Sequence, residues 1–173
     1  MKQLIDIFDY AGQICKAMPR GILLTTASGE TVNTMTIGWG TLGIEWGKKL
    51  FVAYVRESRY TKELLDAAGE FTVNIPLAKI DKNIIALCGT KSGRDINKLE
   101  ALGLTTQPGR TVSVPGISQL PLTLECKVIY RQTQDPDAID KDCFVRFYGA
   151  GTHNAGDYHT VYFGEITDAY IIE

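Results

Sequence analysis

The chain has 173 residues, of which 45% are hydrophobic and 22% charged, with a formal net charge of −2. That length and balance fit one globular domain, residues 1–173, and give no global basic field that would favour nucleic acid. No apolar run is long enough to span a bilayer, and Met1-Lys2-Gln3 lacks a signal-peptide pattern, so the expected setting is cytoplasmic, with no membrane partner.

Leu4, Ile5, Ile7, Phe8, Ala11, Ile14, Cys15 and Met18 form a helical apolar stripe, so residues 1–18 read as an N-terminal helix stopped by Pro19. Gly21 to Ala27 and Thr31 to Trp39 read as a β-hairpin about Ser28-Gly29, and Leu50 to Val55 as a third strand. Tyr60 to Ala68 is helical, with Ser58 a candidate N-cap and Gly69 a stop; Phe71 to Ile75 alternates like a strand up to Pro76. Leu77 to Leu87 is again helical. Cys88 to Arg94 is a loop, and Asp95 can cap a helix running to Leu102.

Thr111 to Val114 and Leu120 to Tyr130 read as strands, and Asp135 to Asp142 as a polar connection. Cys143 to Tyr148 fits either a strand or a short helix, and Tyr158 to Ile172 forms the last β segment. The first three strands have no helices between them, which excludes a Rossmann sheet. Six or more strands with inserted helices point to a mainly β, closed or nearly closed antiparallel barrel.

Cys15, Cys88, Cys126 and Cys143 stand far apart without a CxxC, which reads as reduced thiols rather than a disulfide framework. The two histidines are too few for a His-rich metal site, and no metal is expected.

The chemistry concentrates between Asn33 and Thr61. Arg56-Glu57-Ser58-Arg59-Tyr60-Thr61 puts two arginines and two hydroxyls at a helix start. Cations are unfavourable at a helix N-terminus unless an anion compensates them, and the free N–H groups there suit a phosphate. A small anionic cofactor with its phosphate on Ser58 to Thr61 follows from that conflict. Lys91, Ser92 and Arg94 fit a second anion contact or a solvated basic loop equally well.

Two glycine patterns mislead. Gly38-Trp39-Gly40-Thr41-Leu42-Gly43 matches GxGxxG letter for letter, but only Ile44 to Lys49 separate it from the next strand, too few for a crossover helix. Its glycines suit a turn or a close approach of backbone to a flat ligand. Gly89 to Gly93 has three intervening residues where a Walker loop needs four, and Arg94-Asp95 follows instead of Lys-Ser/Thr. Trp39, Trp46 and Tyr60 fit either core packing or stacking on an aromatic ligand. His159, on the last predicted strand, is the one candidate catalytic side chain, against the ordinary reading of a structural histidine.

Asn33-Thr34-Met35-Thr36, Arg56 to Thr61, Glu70 to Pro76, Cys88 to Asp95 and the closing His159 to Ile166 together resemble the flavin reductase-like family, whose relatives include the flavoredoxins. The similarity runs from about Pro19 to the C-terminus in the family's order and spacing. It implies an FMN-binding split β-barrel, Greek-key-like and antiparallel, working as a homodimer with flavin near the subunit interface. It implies that backbone groups of the Asn33–Thr36 strand face the ring, that Ser58 to Thr61 hold the phosphate, and that Asn74 and the Cys88–Arg94 loop, with Lys91 and Ser92, line the same pocket; Arg56 and Trp39, read from the residues, are further candidate cofactor contacts.

The implied activity is NAD(P)H-dependent reduction of flavin or another acceptor, as in a flavin reductase. The alternatives are a flavoredoxin-like electron-transfer protein reduced by a redox partner protein, or a non-catalytic flavin-binding module.

Overall fold

A computed structural model describes residues 1–173. Strand β1 (Lys2–Leu4) opens the chain and pairs with the far end of the last strand, Lys2 opposite Ile172. The helix expected over 1–18 is therefore shorter. A 3-10 turn at Ile7–Tyr10 leads into α1 (Ala11–Ala17), and a second 3-10 turn at Met18–Arg20 follows. The apolar stripe is real, with Ile7, Ile14 and Met18 all buried, but edge pairing claims its first residues.

The hairpin β2 (Ile22–Ser28) and β3 (Thr31–Ile37) forms as expected, with Gly29 at φ 58° in its turn. β2 is buried along almost its whole length because Ile22 and Leu24 face the main core while Leu23 lies under helices on the other side. That two-sided burial explains its unbroken apolar run.

The Gly-rich connection holds an unexpected strand, β4 (Gly40–Glu45), joined to β5 (Lys48–Arg56) by a tight turn with Trp46 and Gly47 at φ 52° and 70°. Gly40 serves packing rather than a ligand: a Cβ there would lie 2.7 Å from Phe51 Cζ and 3.1 Å from Met18 Sδ. α2 (Tyr60–Ala68) ends on Gly69 at φ 65°, and β6 (Glu70–Ile75) follows.

Three expectations fail in the middle of the chain. The helix after Pro76 starts only at Lys82 (α3, Lys82–Thr90), where Asp81 caps Asn83 N–H. The next one, α4 (Lys98–Ala101), is capped by Asn97, not Asp95, because Asn97 Oδ1 reaches the N–H groups of Leu99 and Glu100. Thr111 to Val114 is no strand; the N–H groups of Thr111 and of the preceding Arg110 donate to the Glu125 carboxylate, and the Ser113 N–H donates to Glu70. Only the short pair β7 (Thr106–Gln107) and β8 (Gly116–Ile117) forms nearby.

β9 (Leu122–Thr133) is followed by α5 (Lys141–Phe147), which settles the Cys143 segment as helix, and by the long β10 (His159–Ile172).

Eight strands make one antiparallel sheet in the order β3-β2-β6-β9-β10-β5-β4, with β1 beside β10. The sheet is not closed: β3 and β4, its two edges, do not pair. Yet they are consecutive in the chain, joined only by Gly38 and Trp39. The sheet curls around a core that includes Phe51, Phe71 and Tyr162, and β3 passes into β4 without pairing with it, which leaves a split at residues 38–39. All four cysteines are free; Cys88 and Cys126 are buried, Cys15 and Cys143 exposed. No helix is long and apolar enough to cross a membrane.

Candidate functional site

A two-lobed groove lies along the split. One lobe, of about 170 Å³, is lined by Met35 to Trp39, Tyr54, Arg56, Arg59 and His159. The other, of about 100 Å³, is lined by Asn33, Met35, Ser58 to Thr61, Cys88 to Arg94 except Thr90, and Lys98. Met35 and Arg59 belong to both, so the lobes adjoin. Each is small beside the roughly 300–1,000 Å³ of ordinary ligand clefts.

The smaller lobe is built on the start of α2. The N–H groups of Tyr60 and Thr61 have no backbone acceptor. Asn33 Nδ2 donates to Thr61 Oγ1 at 2.8 Å, which leaves the threonine's own proton for a further acceptor. Arg59 and Lys91 form no ion pair. Lys98 is buried, and its Nζ donates only to two carbonyls, Thr34 O at 2.9 Å and Cys88 O at 3.3 Å. Burial lowers the Lys98 pKa; the Cys88 thiol opposes that shift, and the Arg59 charge adds to it. Open helix N–H groups beside unpaired cations make a receptor for a phosphate-like dianion.

Several expected residues line the groove with side chains that already have partners. Ser58 does not cap α2; the N-cap position is Arg59, and the Ser58 N–H and hydroxyl donate to the Asp157 carboxylate at 3.0 and 2.7 Å. Arg56 is also engaged, donating to the Asp157 carbonyl at 2.6 Å and lying 5.4 Å from the Tyr148 ring. Arg94 pairs with Glu63, donates to Ser58 O at 3.3 Å and covers the Tyr60 ring. Ser92 Oγ accepts from Arg94 N–H at 3.2 Å, which holds the loop turn.

Asn74 leaves the site altogether. Pairing of β6 with β2 and β9 buries it in the sheet, where Nδ2 donates to Thr123 Oγ1 at 3.0 Å and Oδ1 accepts from Thr25 and Thr72. The Thr34 side chain likewise points to Thr25 and the Leu24 carbonyl; only its backbone oxygen reaches the site, through Lys98. Both residues obey the inward–outward alternation of a strand, which sequence motifs do not override.

The larger lobe carries the aromatic surface. Trp39 meets the Phe147 ring edge-on at 5.0 Å and lies 5.0 Å from the His159 ring. His159 is buried and its pKa is lowered to about 4, first by desolvation, then by the Arg56 charge; Asp157 opposes and Arg59 reinforces the shift.

Its tautomer follows from its partners. The His159 backbone N–H donates to Gln134 Oε1 at 3.1 Å, which fixes the amide orientation. Tyr148 OH donates to the same oxygen at 2.9 Å. The Tyr148 oxygen therefore accepts from His159 Nδ1–H, 2.8 Å away. Nε2 is left as an unprotonated, unpartnered acceptor on a residue that lines the lobe.

Sequence reading missed Lys98, Tyr54, Tyr148, Gln134 and Asp157. Lys98 carried a usable signal: a cation at the first position of a helix, the same conflict that marked Arg56 and Arg59. The others reach the site through β5, β9 and the 148–158 loop, and their local sequence gives no sign of it.

Comparison with known proteins bears on the family and the fold. The family model described as a flavin reductase like domain matches residues 15–173. An uncharacterized protein of Archaeoglobus fulgidus is 33% identical over 111 residues, 64% of this chain and 62% of that protein, so the chain spans less than two thirds of that relative's length.

Among solved structures, the flavoredoxin of Desulfovibrio vulgaris (Miyazaki F) superposes with a TM-score of 0.65 at 24% identity, over 88% of this chain and 69% of that one. An FMN-binding domain of a flavin reductases-like enzyme from Shewanella baltica OS155 gives 0.68 at 14% identity, over 99% and 77%. These two likenesses show the fold.

Proposed function

This chain belongs to the flavin reductase-like domain family, and we propose that it is a flavoprotein oxidoreductase holding FMN in the groove and passing electrons from NADH or NADPH to a flavin or another acceptor. The observation that carries the reading is the pairing of two unlike lobes. One end offers open helix N–H groups and the unpaired cations Arg59, Lys91 and Lys98; the other is a cleft at the sheet split walled by Trp39, Tyr54 and His159. The residues present fit a flat aromatic group tethered to a single phosphate.

Arg59, Lys91 and Lys98 would neutralise the phosphate, with the Tyr60 and Thr61 N–H groups and the Thr61 hydroxyl as donors. The Met35–Trp39 segment, at the unpaired edge of the sheet, would bring backbone polar groups to the ring. Bound FMN supplies hydride acceptance and one- or two-electron release. His159, neutral above about pH 4, offers Nε2 to an N–H or O–H group and orients whatever occupies the lobe.

A homodimer belongs to the same proposal. The lobes are too small and open to enclose a flavin within one chain. The outer sheet face leads away from them through Tyr54, paired with Val161, and Val52, paired with Phe163, to the exposed Trp46 and Tyr130. Light scattering of the FMN-loaded protein tests this; a monomer of 19.1 kDa that retains FMN would overturn it.

The experiment for the activity is anaerobic. Purified protein is heated to release its flavin for chromatographic identification, and the holoprotein is titrated with NADH and NADPH under a visible spectrum. FMN bleached within a turnover time supports the reading. FAD, or no flavin after reconstitution, refutes it, and FMN inert to both nucleotides moves the electron source to a protein partner.

A further inference from the structure

A cavity larger than either lobe of the groove lies elsewhere on the molecule. It measures about 780 Å³ and lies between the α1–Arg20 segment, the 76–82 loop and α3. Its apolar lining is Ala17, Leu77, Ala78, Ile80, Ile85 and Ala86. Four cations line it as well: Lys16 and Arg20 from one wall, Lys79 and Lys82 from the other. No carboxylate lines it, and none of the four makes an ion pair. The nearest acid in sequence, Asp81, spends its carboxylate on the Asn83 N–H as the cap of α3.

We propose that this cavity is a second ligand site, and that its occupant is a small organic anion with an apolar body. Two features of the wall select that class. Four like charges around one concave surface repel each other in a chain whose net charge is negative, and a bound anion relieves the repulsion. The apolar floor rewards burial of a hydrocarbon or aromatic body, and the volume lies within the usual range for small-molecule sites, about 300–1,000 Å³. A purely inorganic anion would leave that floor wet, and a neutral apolar molecule would leave the cations unmatched.

The cavity also lies close to the groove. Thr36 lines the ring lobe, and its hydroxyl donates to the Ile85 carbonyl at 2.7 Å, while Ile85 lines the cavity. Gly21, between them, has no room for a side chain: a Cβ would meet Ile85 Cγ2 at 2.4 Å and Thr36 Cγ2 at 2.9 Å. One layer of side chains therefore separates the two spaces, and an anion seated here lies next to the ring end of the groove. The assignment of an anion to the cavity does not depend on what the groove holds.

The test uses the protein as purified, with calorimetric titration of 2-naphthoate and of 2-naphthamide, which has the same body without the charge. The expected result is saturable 1:1 binding of 2-naphthoate, with 2-naphthamide at least tenfold weaker. The Lys16→Glu/Arg20→Glu double variant, changed at exposed positions, should weaken 2-naphthoate at least tenfold while leaving melting temperature and flavin content as in the parent. Ala86→Trp, which fills the cavity without altering charge, should also abolish binding. Equal affinity for acid and amide, no saturable heat up to millimolar 2-naphthoate, or affinity unchanged in both variants would overturn the proposal.

Discussion

The Tyr148 hydroxyl oxygen lies 2.8 Å from His159 Nδ1, and its proton is committed to Gln134 Oε1. That contact decides which imidazole nitrogen is free, and it joins the 141–148 segment to the strand that carries the histidine. Burial raises the Tyr148 pKa, so the phenol remains a donor at neutral pH.

His159 should make stability depend on pH in a definite sense. Its folded pKa, about 4, lies below the unfolded value near 6.5. Between those values the unfolded chain binds the extra proton, so stability rises with pH, is fully present above about 6.5 and is lost as pH falls toward 4. The slope is at most about 1.4 kcal/mol per pH unit. Urea unfolding of the parent and of His159→Gln at several pH values should show a steeper rise of stability between pH 4 and 6.5 in the parent than in the variant. Parallel curves would mean that the imidazole is not held neutral.

The Asp157 carboxylate sits on Ser58, beside the proposed phosphate lobe. Asp157→Asn keeps an acceptor for the Ser58 N–H and removes a like charge from the neighbourhood of the phosphate. FMN should bind several-fold tighter to the apo-protein, and the gain should shrink as salt is raised. Weaker binding in fluorescence titration would show that the carboxylate contributes through the loop it anchors rather than through its charge.

Arg59→Ala and Lys98→Met should each raise the FMN dissociation constant roughly tenfold or more, since hydrogen bonds to charged groups are worth about 1.5–3 kcal/mol. Riboflavin, which lacks the phosphate, should lose less. Melting of the apo-proteins supplies the folding control. Equal losses for both ligands would move the phosphate away from the start of α2.

Gly164→Ala tests the curl of the sheet. A Cβ at this position would lie 2.4 Å from Phe71 Cζ and 2.9 Å from Cys126 Cβ, at a register shift of β10. Overpacking there should destabilise the protein by about 1–3 kcal/mol in urea unfolding, with FMN affinity per folded molecule kept. A neutral outcome would mean that the Phe71 ring has room to move.

Local chemistry was enough for the hairpin at Gly29 and the stop of α2 at Gly69, and it raised the proposal of an anion at the start of α2. Each rests on one turn of chain: a positive φ that glycine tolerates, or cations placed against a helix dipole. The family motifs carried the fold class for the same reason, as short patterns in fixed order. Other features depended on neighbours far along the chain. Ser58 looked like a cap until Asp157 arrived from 99 residues away, and Asn74 looked like a ligand until β2 and β9 enclosed it. Lys2–Leu4 fell within the helix expected over residues 1–18, but the open edge of β10 offered backbone hydrogen bonds that a helix end could not. The sequence by itself determined where charge and turns must fall. Only the tertiary structure decided which face of each strand met the groove and which sheet edges stayed unpaired, because those outcomes depend on long-range register.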